Sequence, residues 1–186
     1  LYYLIVFSVL IVMIFSILVY LNPVPFQRFR GMFETSSLTN EQLFKEHHRS
    51  TESNVVRRMI WTVSGEIISD NPFGVGSGDA NTELLKKYRQ YDMTGALTKE
   101  LNAHNQFIQT TLALGYPGLL LLIALFIFPL LNSFKNKNYL LFIFLVITTI
   151  NVAVESMFET ESGIVFIILF YCFLLSEKEK ITKFNS

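Results

Sequence analysis

Apolar and polar residues alternate in long blocks along this chain rather than residue by residue. Residues 1–21 form an uncharged apolar run that stops at Asn22-Pro23, with Tyr20 placed for a membrane interface. Residues 22–109 are polar and hold ten of the fifteen basic and ten of the fifteen acidic side chains. Residues 110–131 carry no formal charge, and at about 1.5 Å per helical residue they can cross a hydrocarbon core of roughly 30 Å. A short link, 132–138, leads to apolar runs at Tyr139–Val154 and Ile164–Leu175 and a polar tail at 177–186. The pattern predicts an all-α, polytopic helical membrane protein with about four transmembrane helices: 1–21, 110–131 and two within 139–176. The loop 22–109 then lies outside the membrane. The last two runs are short for full spans unless Glu155–Gly163 adds helical turns, and a broken or re-entrant segment is the alternative.

Within the loop, Asn54 to Ser69 has helical periodicity, with Ser53 or Asn54 as its cap. At 100° per residue, Val55, Val56, Met59, Ile60, Val63 and Ile67 share one broad face. Arg57, Trp61 and Ile68 fall on a second stripe, while Arg58 falls with Thr62, Gly65 and Ser69. Arg57, one turn from Trp61, is therefore the arginine placed to be partly desolvated and held. Asp70 to Gly78 breaks the helix with turn-forming residues. Residues 80–96 read as polar loop or short helix. A further helix is expected from near Thr98 through His104 to Gly115, with a kink where Tyr116 precedes Pro117. If helix holds from Asn102, His104 stands six residues before Thr110, roughly 9 Å outside the hydrocarbon.

Charge sets the orientation. Lys135, Lys137, Lys178, Lys180 and Lys183 fall on one side and Glu155, Glu159 and Glu161 on the other, so the lysine side is expected to be cytoplasmic. The loop's own charges do not count, because long loops translocate regardless. Net charge is zero and 51% of residues are hydrophobic, which suits a membrane protein and gives no electrostatic argument for nucleic acid. The single cysteine, Cys172, sits in an apolar run and leaves no intrachain disulfide. Leu1 lies inside an apolar run without a Met, a basic flank or a cleavage site, so the chain is expected to be the C-terminal part of a longer protein. Neither an internal repeat nor a low-complexity segment is present.

Chemistry concentrates at a few positions. His104 at head-group depth could take a proton from a sugar hydroxyl, though interfacial histidines also serve as structural hydrogen-bonders. The Arg57 guanidinium offers fixed donors suited to phosphate oxygens, where the plain alternative is a solvated helix arginine. The Gly74–Gly78 turn could offer N–H groups to a phosphate or be a simple connection, and no Lys-Ser or Lys-Thr follows it as in a Walker loop. Glu155, Glu159 and Gly163 recur at spacings of four and share a face if helix continues through them; such glutamates could position an acceptor or hold Arg57, or simply set topology as outer-surface charges. A metal site is disfavoured: His47 and His48 are adjacent and point apart, and no zinc-like Cys/His spacing exists.

His104-Asn105, nine residues, Gly115, two residues, Gly118 resembles the motif of the O-antigen ligase family of bacterial membrane glycosyltransferases. Arg57, three residues, Trp61, then Asn71-Pro72-Phe73-Gly74-Val75-Gly76 resembles a second family pattern, and the Glu155, Glu159 and Gly163 pattern is similar to a third. The resemblance implies a metal-independent, cofactor-free, inverting transferase at the outer face of the bacterial inner membrane, its large loop periplasmic. Donor and acceptor would be an undecaprenyl-diphosphate-linked glycan and lipid A-core. It implies catalytic roles for His104 and Arg57, and substrate-binding roles for Arg58, Trp61, Asn105, Gly74, Gly76, Glu155 and Glu159. An O-antigen or capsular polymerase fits the same residues, and transfer onto protein hydroxyls is a third acceptor option. A flippase or a non-catalytic membrane scaffold is the reading from a different class; a transporter would place charged residues within spans, and here they lie almost wholly outside.

Overall fold

The computed structural model describes residues 39–47 and 53–184, together with the isolated Met13. The expected first span at 1–21, its Asn22-Pro23 stop and His48 lie outside the described residues. Among the described residues every regular element is helical and there is no strand. In order these are α1 (Asn40–His47), α2 (Ser53–Asp70), α3 (Ala80–Gln90), α4 (Thr94–Thr98), α5 (Gln106–Lys135), α6 (Tyr139–Val154), a 3₁₀ turn (Met157–Glu159) and α7 (Glu161–Phe184).

The face expected of α2 is the one it buries. Val55, Val56, Met59, Ile60, Val63 and Ile67 are all at most 5% exposed. They pack with Leu43 of α1, Leu84 and Tyr88 of α3, Ala96 of α4, Ala103 and Leu112. Removing each aliphatic side chain from water stabilises the fold by about 1.5–3 kcal/mol, so a charge at the fully buried Ile60 would undo this cluster. The polar stretch after the turn is two short helices, α3 and α4. Its α3 is tied to α2 by Glu66, which accepts from Lys87 Nζ at 2.8 Å and from the Tyr91 hydroxyl at 2.7 Å.

No helix runs from Thr98 through His104. Helix α4 ends at Thr98, and α5 begins only at Gln106, capped by Asn105. His104 has φ +46, outside the right-handed helical region, and its N–H is taken by the Asn102 side chain at 2.9 Å. A local turn therefore outcompetes helix in a stretch that contains neither Gly nor Pro.

The break near the membrane falls at the expected place but is larger than a kink. Gly115 has φ 68 and ψ −166 inside α5. In a straight helix Phe107 and Phe126 would stand roughly 28 Å apart. Their ring centroids are 6.5 Å apart, so the two arms of α5 fold sharply back on each other at Gly115. The residues of the glycine motif make this corner possible. A Cβ on Gly115 would strike the Phe73 backbone and the Pro72 carbonyl, and one on Gly118 would strike the Leu114 side chain. By length and composition α5 is the one helix among the described residues that meets the requirements of a membrane span outright, while α6 and the Glu161–Ser176 part of α7 are apolar but shorter. Because of the corner, the arm of α5 able to cross is 116–135, about 30 Å long, rather than 110–131.

Helix α6 matches the third apolar run residue for residue, and α7 extends the fourth at both ends. Phe126 and Val152 join Leu122 in a second buried cluster, against which Phe107, Met157, Phe158 and Ile167 pack. Helix does not continue through Glu155, so the condition on which Glu155, Glu159 and Gly163 would share a face is not met. Glu155 is extended (φ −143, ψ 148), the 3₁₀ turn follows, and α7 restarts at Glu161. Gly163 then sits so close to the Met157 carbonyl that a side chain there would collide with it.

Candidate active site

Two side chains from distant parts of the chain, a guanidinium and an imidazole, meet at one carboxylate supplied by a third. Arg57 on α2 donates through Nη2 to Glu155 Oε1 at 2.6 Å, and His104 Nδ1 lies 3.0 Å from Glu155 Oε2. The Arg57 and His104 side chains are 24% and 27% exposed and Glu155 is 52% exposed, so the site is an open mouth and not a closed cavity. A solvent-facing pair of this kind adds little to stability, so its interest is geometric.

The chain fixes that geometry from both sides. On one side the Trp61 indole N–H donates to the Ala103 carbonyl at 2.8 Å, and the Ala103 N–H is accepted by Gln109 Oε1 at 3.2 Å. Those bonds hold the residue before His104 against α2. On the other side, residues 104–106 run along the turn after α6. His104 faces Glu155, the Asn105 N–H donates to Ser156 Oγ at 3.2 Å, and Gln106 Oε1 accepts from the Phe158 N–H at 2.7 Å.

Several predicted site residues have structural work in place of contact with this centre. Asn105 is the cap of α5, its side chain accepting from the Ile108 N–H at 3.1 Å. Trp61 positions the histidine loop. Gly74 and Gly76 do not form a free phosphate cradle. The N–H groups of Val75 and Gly76 donate to the Leu112 and Ala113 carbonyls, both at 2.9 Å, that of Gly74 donates to Asn71 at 2.9 Å, and Pro72 accepts from the Tyr116 N–H at 2.9 Å. The loop thus satisfies backbone groups that the α5 corner leaves without helical partners. Both glycines have positive φ, 84 and 98, and a Cβ on Gly74 would lie 2.5 Å from the Ala113 carbonyl.

Arg58 is half-buried on the neighbouring stripe, and its carbonyl accepts from Thr62 Oγ1 at 2.9 Å. Glu159 is exposed in the 3₁₀ turn, and no side-chain bond joins it to Arg57, His104 or Glu155 among the described residues. Ser156, Gln106 and Gln109 are site residues that the sequence does not single out. Their one signal is that polar residues flank the ends of apolar runs, which is common to any interface. Among the described residues no group of three or more His, Cys, Asp or Glu is gathered as metal ligands would be.

A family model described as O-antigen ligase matches residues 1–123. The chain belongs to the O-antigen ligase family. No curated protein and no solved structure matches it. The match takes in Arg57, Trp61, His104 and both glycines of the α5 corner, and it stops short of Glu155. Members of this family are membrane glycosyltransferase-like enzymes acting on lipid-linked glycans, in accord with the apolar α5.

Proposed function

We propose that this chain forms the reacting part of a glycosyltransferase that moves a glycan from undecaprenyl diphosphate to lipid A-core at the periplasmic face of the bacterial inner membrane. The observation that supports it most directly is the meeting of Arg57 and His104 on the single carboxylate of Glu155. Glycan transfer from a diphosphate needs a fixed positive charge for the leaving group and a base for the incoming hydroxyl, within one small space. Arg57 is the fixed charge and His104 the base.

In this reading the acceptor hydroxyl oxygen attacks the anomeric carbon from the face opposite the diphosphate. The bond from that carbon to the phosphate oxygen breaks, its electron pair leaves with the diphosphate, and the anomeric configuration inverts. The hydroxyl proton passes to His104. Arg57 offsets the charge growing on the leaving oxygens through its planar set of donors. The arm 116–135, α6 and α7 cross the membrane, with the Lys135 and Lys137 link cytoplasmic and the α1–α4 unit periplasmic.

The test is an in-vitro assay of the full-length enzyme with lipid-linked glycan and purified lipid A-core. Appearance of glycan on lipid A-core that is lost in His104→Ala and Arg57→Ala supports the reading. Lengthening of the lipid-linked chain alone would make the protein a polymerase, and neither product would remove the transferase reading.

A further inference from the structure

We propose that Glu155 is a positioning residue of this site: one carboxylate oxygen fixes which imidazole nitrogen of His104 acts, and the other holds Arg57 in place until a diphosphate displaces it. This rests on the glycan-transfer reading and goes beyond it, because it gives Glu155 a positioning role toward His104 and Arg57 where the family resemblance implies only substrate binding.

The geometry divides the carboxylate cleanly. Oε2 is 3.0 Å from His104 Nδ1 and Oε1 is 2.6 Å from Arg57 Nη2. An ionised carboxylate only accepts hydrogen bonds, so the contact with Oε2 places the imidazole proton on Nδ1. The lone pair is then on Nε2, the nitrogen that does not face Glu155. A base aimed this way is ready for a hydroxyl proton, and when Nε2 takes that proton the resulting imidazolium lies against the carboxylate. The backbone that carries Glu155 is held beside the histidine loop. It is extended at the end of α6, and the next residues are bound to the histidine loop by the Ser156 to Asn105 and Phe158 to Gln106 bonds.

The bond to Arg57 has the opposite consequence. A diphosphate carries more charge and more acceptor oxygens than one carboxylate, and it suits the same planar donors. With Glu155 52% exposed, an arriving anion can reach the guanidinium and replace Oε1 there. Before donor arrives, Glu155 Oε1 occupies Arg57; once it binds, Glu155 remains on His104 alone. The carboxylate therefore opposes donor binding and favours turnover.

Steady-state transfer by the full-length enzyme in nanodiscs, with lipid-linked glycan varied at saturating lipid A-core, separates these effects. Glu155→Gln keeps the size and removes the charge. It should lower kcat by about 10²-fold, the scale of a misoriented general base, while KM for the donor stays level or falls. Glu155→Asp, which restores the charge on a shorter stem, should recover part of kcat. A Glu155 that only supports the fold around the site would damage donor binding along with turnover, so a KM for donor that rises as much as kcat falls overturns the proposal. Unchanged kcat in Glu155→Gln overturns it too, as does failure of both variants to accumulate in the membrane. Failure of the parent reading looks different: His104→Ala and Arg57→Ala would then retain transfer whatever Glu155 does.

Discussion

The indole N–H of Trp61 donates to the carbonyl of Ala103 at 2.8 Å, joining α2 to the residue just before His104 across 42 positions of chain. His104 has φ +46, a left-handed backbone that residues with a Cβ adopt uncommonly. Trp61→Phe keeps an aromatic side chain, smaller than the indole, and removes the donor, leaving the buried Ala103 carbonyl without that partner at a cost of about 1–3 kcal/mol. We expect the variant to reach the membrane, unfold at a lower temperature than wild type, and transfer glycan about tenfold more slowly, at the scale of one displaced hydrogen bond. Thermal unfolding and the transfer assay on the same preparation check both parts.

Arg57 and Arg58 are neighbours with different surroundings. Only Arg57 shares the carboxylate that His104 faces, while Arg58 lies on the stripe of Thr62. Arg57→Ala should abolish transfer with the protein still membrane-bound, and Arg58→Ala should leave most of it. Equal losses in the two variants would show that the two faces of α2 do not divide the arginines by role.

The different faces of Arg57 and Arg58 are legible in the sequence, because a helix fixes the angle between side chains and the apolar face of α2 is unbroken. The bounds of α6 are legible for a similar reason: an apolar run closed by Asn138 and Glu155 leaves little choice. The histidine loop is not. Residues 99–105 contain no Gly or Pro, so local propensity extends helix through them, and what stops it is the Asn102 turn and the distant Trp61. Nor is the place of Glu155, whose spacing to Glu159 and Gly163 is helical although the backbone there is not. Gly115 and Gly118 can be recognised as a motif, but their purpose depends on the return of α5 against the Pro72–Gly76 loop, a contact between segments far apart in sequence.

The glycines give a direct contrast in stability. Gly115→Ala must place a Cβ against the Phe73 backbone at φ 68, so it should destabilise the protein by more than about 2 kcal/mol through strain and overlap together. Gly65 sits in the middle of α2, exposed, with nothing within 4 Å of the place a Cβ would take. Gly65→Ala should stabilise by about 0.5–1 kcal/mol, because it removes a helix-interior glycine without a clash. Denaturant titration in detergent, read by the signal of the α1–α4 unit, would show opposite shifts in midpoint.

The bond set between α2 and α3 gives a pH dependence with two edges. Burial alone would raise the Glu66 carboxyl, but hydrogen bonds from Lys87 and Tyr91 and the charge of Lys87 outweigh it, and its pKa falls below the ordinary 4.5. The hydrogen bond to Glu66 raises Lys87 above 10.5 and Tyr91 above 10.0. A lowered carboxyl contributes stability that is complete above 4.5 and is lost as pH falls through the lower folded value; the raised groups contribute stability that is complete below 10.0 and is lost as pH rises through theirs. The difference in unfolding midpoint between wild type and Glu66→Gln should therefore be widest and flat between pH 4.5 and 10.0 and shrink beyond both ends. A difference that persists unchanged well below pH 4.5 would show that the carboxylate charge is not what joins the helices.

Asn105 separates a structural role from a binding one. Its side chain caps α5 through the Ile108 N–H, and its own N–H is engaged by Ser156, so both ends of the residue act on the placement of His104. Serine caps helices about as well as asparagine, whereas alanine loses about 1 kcal/mol at such a position. If capping is the role, Asn105→Ser should keep transfer near wild type, and Asn105→Ala should lower both stability and turnover as the start of α5 frays and the histidine loses one anchor. If the amide instead contacts glycan or phosphate, serine will be as poor as alanine in the transfer assay while matching wild type in the unfolding one, because the two substitutions differ in capping and share the loss of the amide.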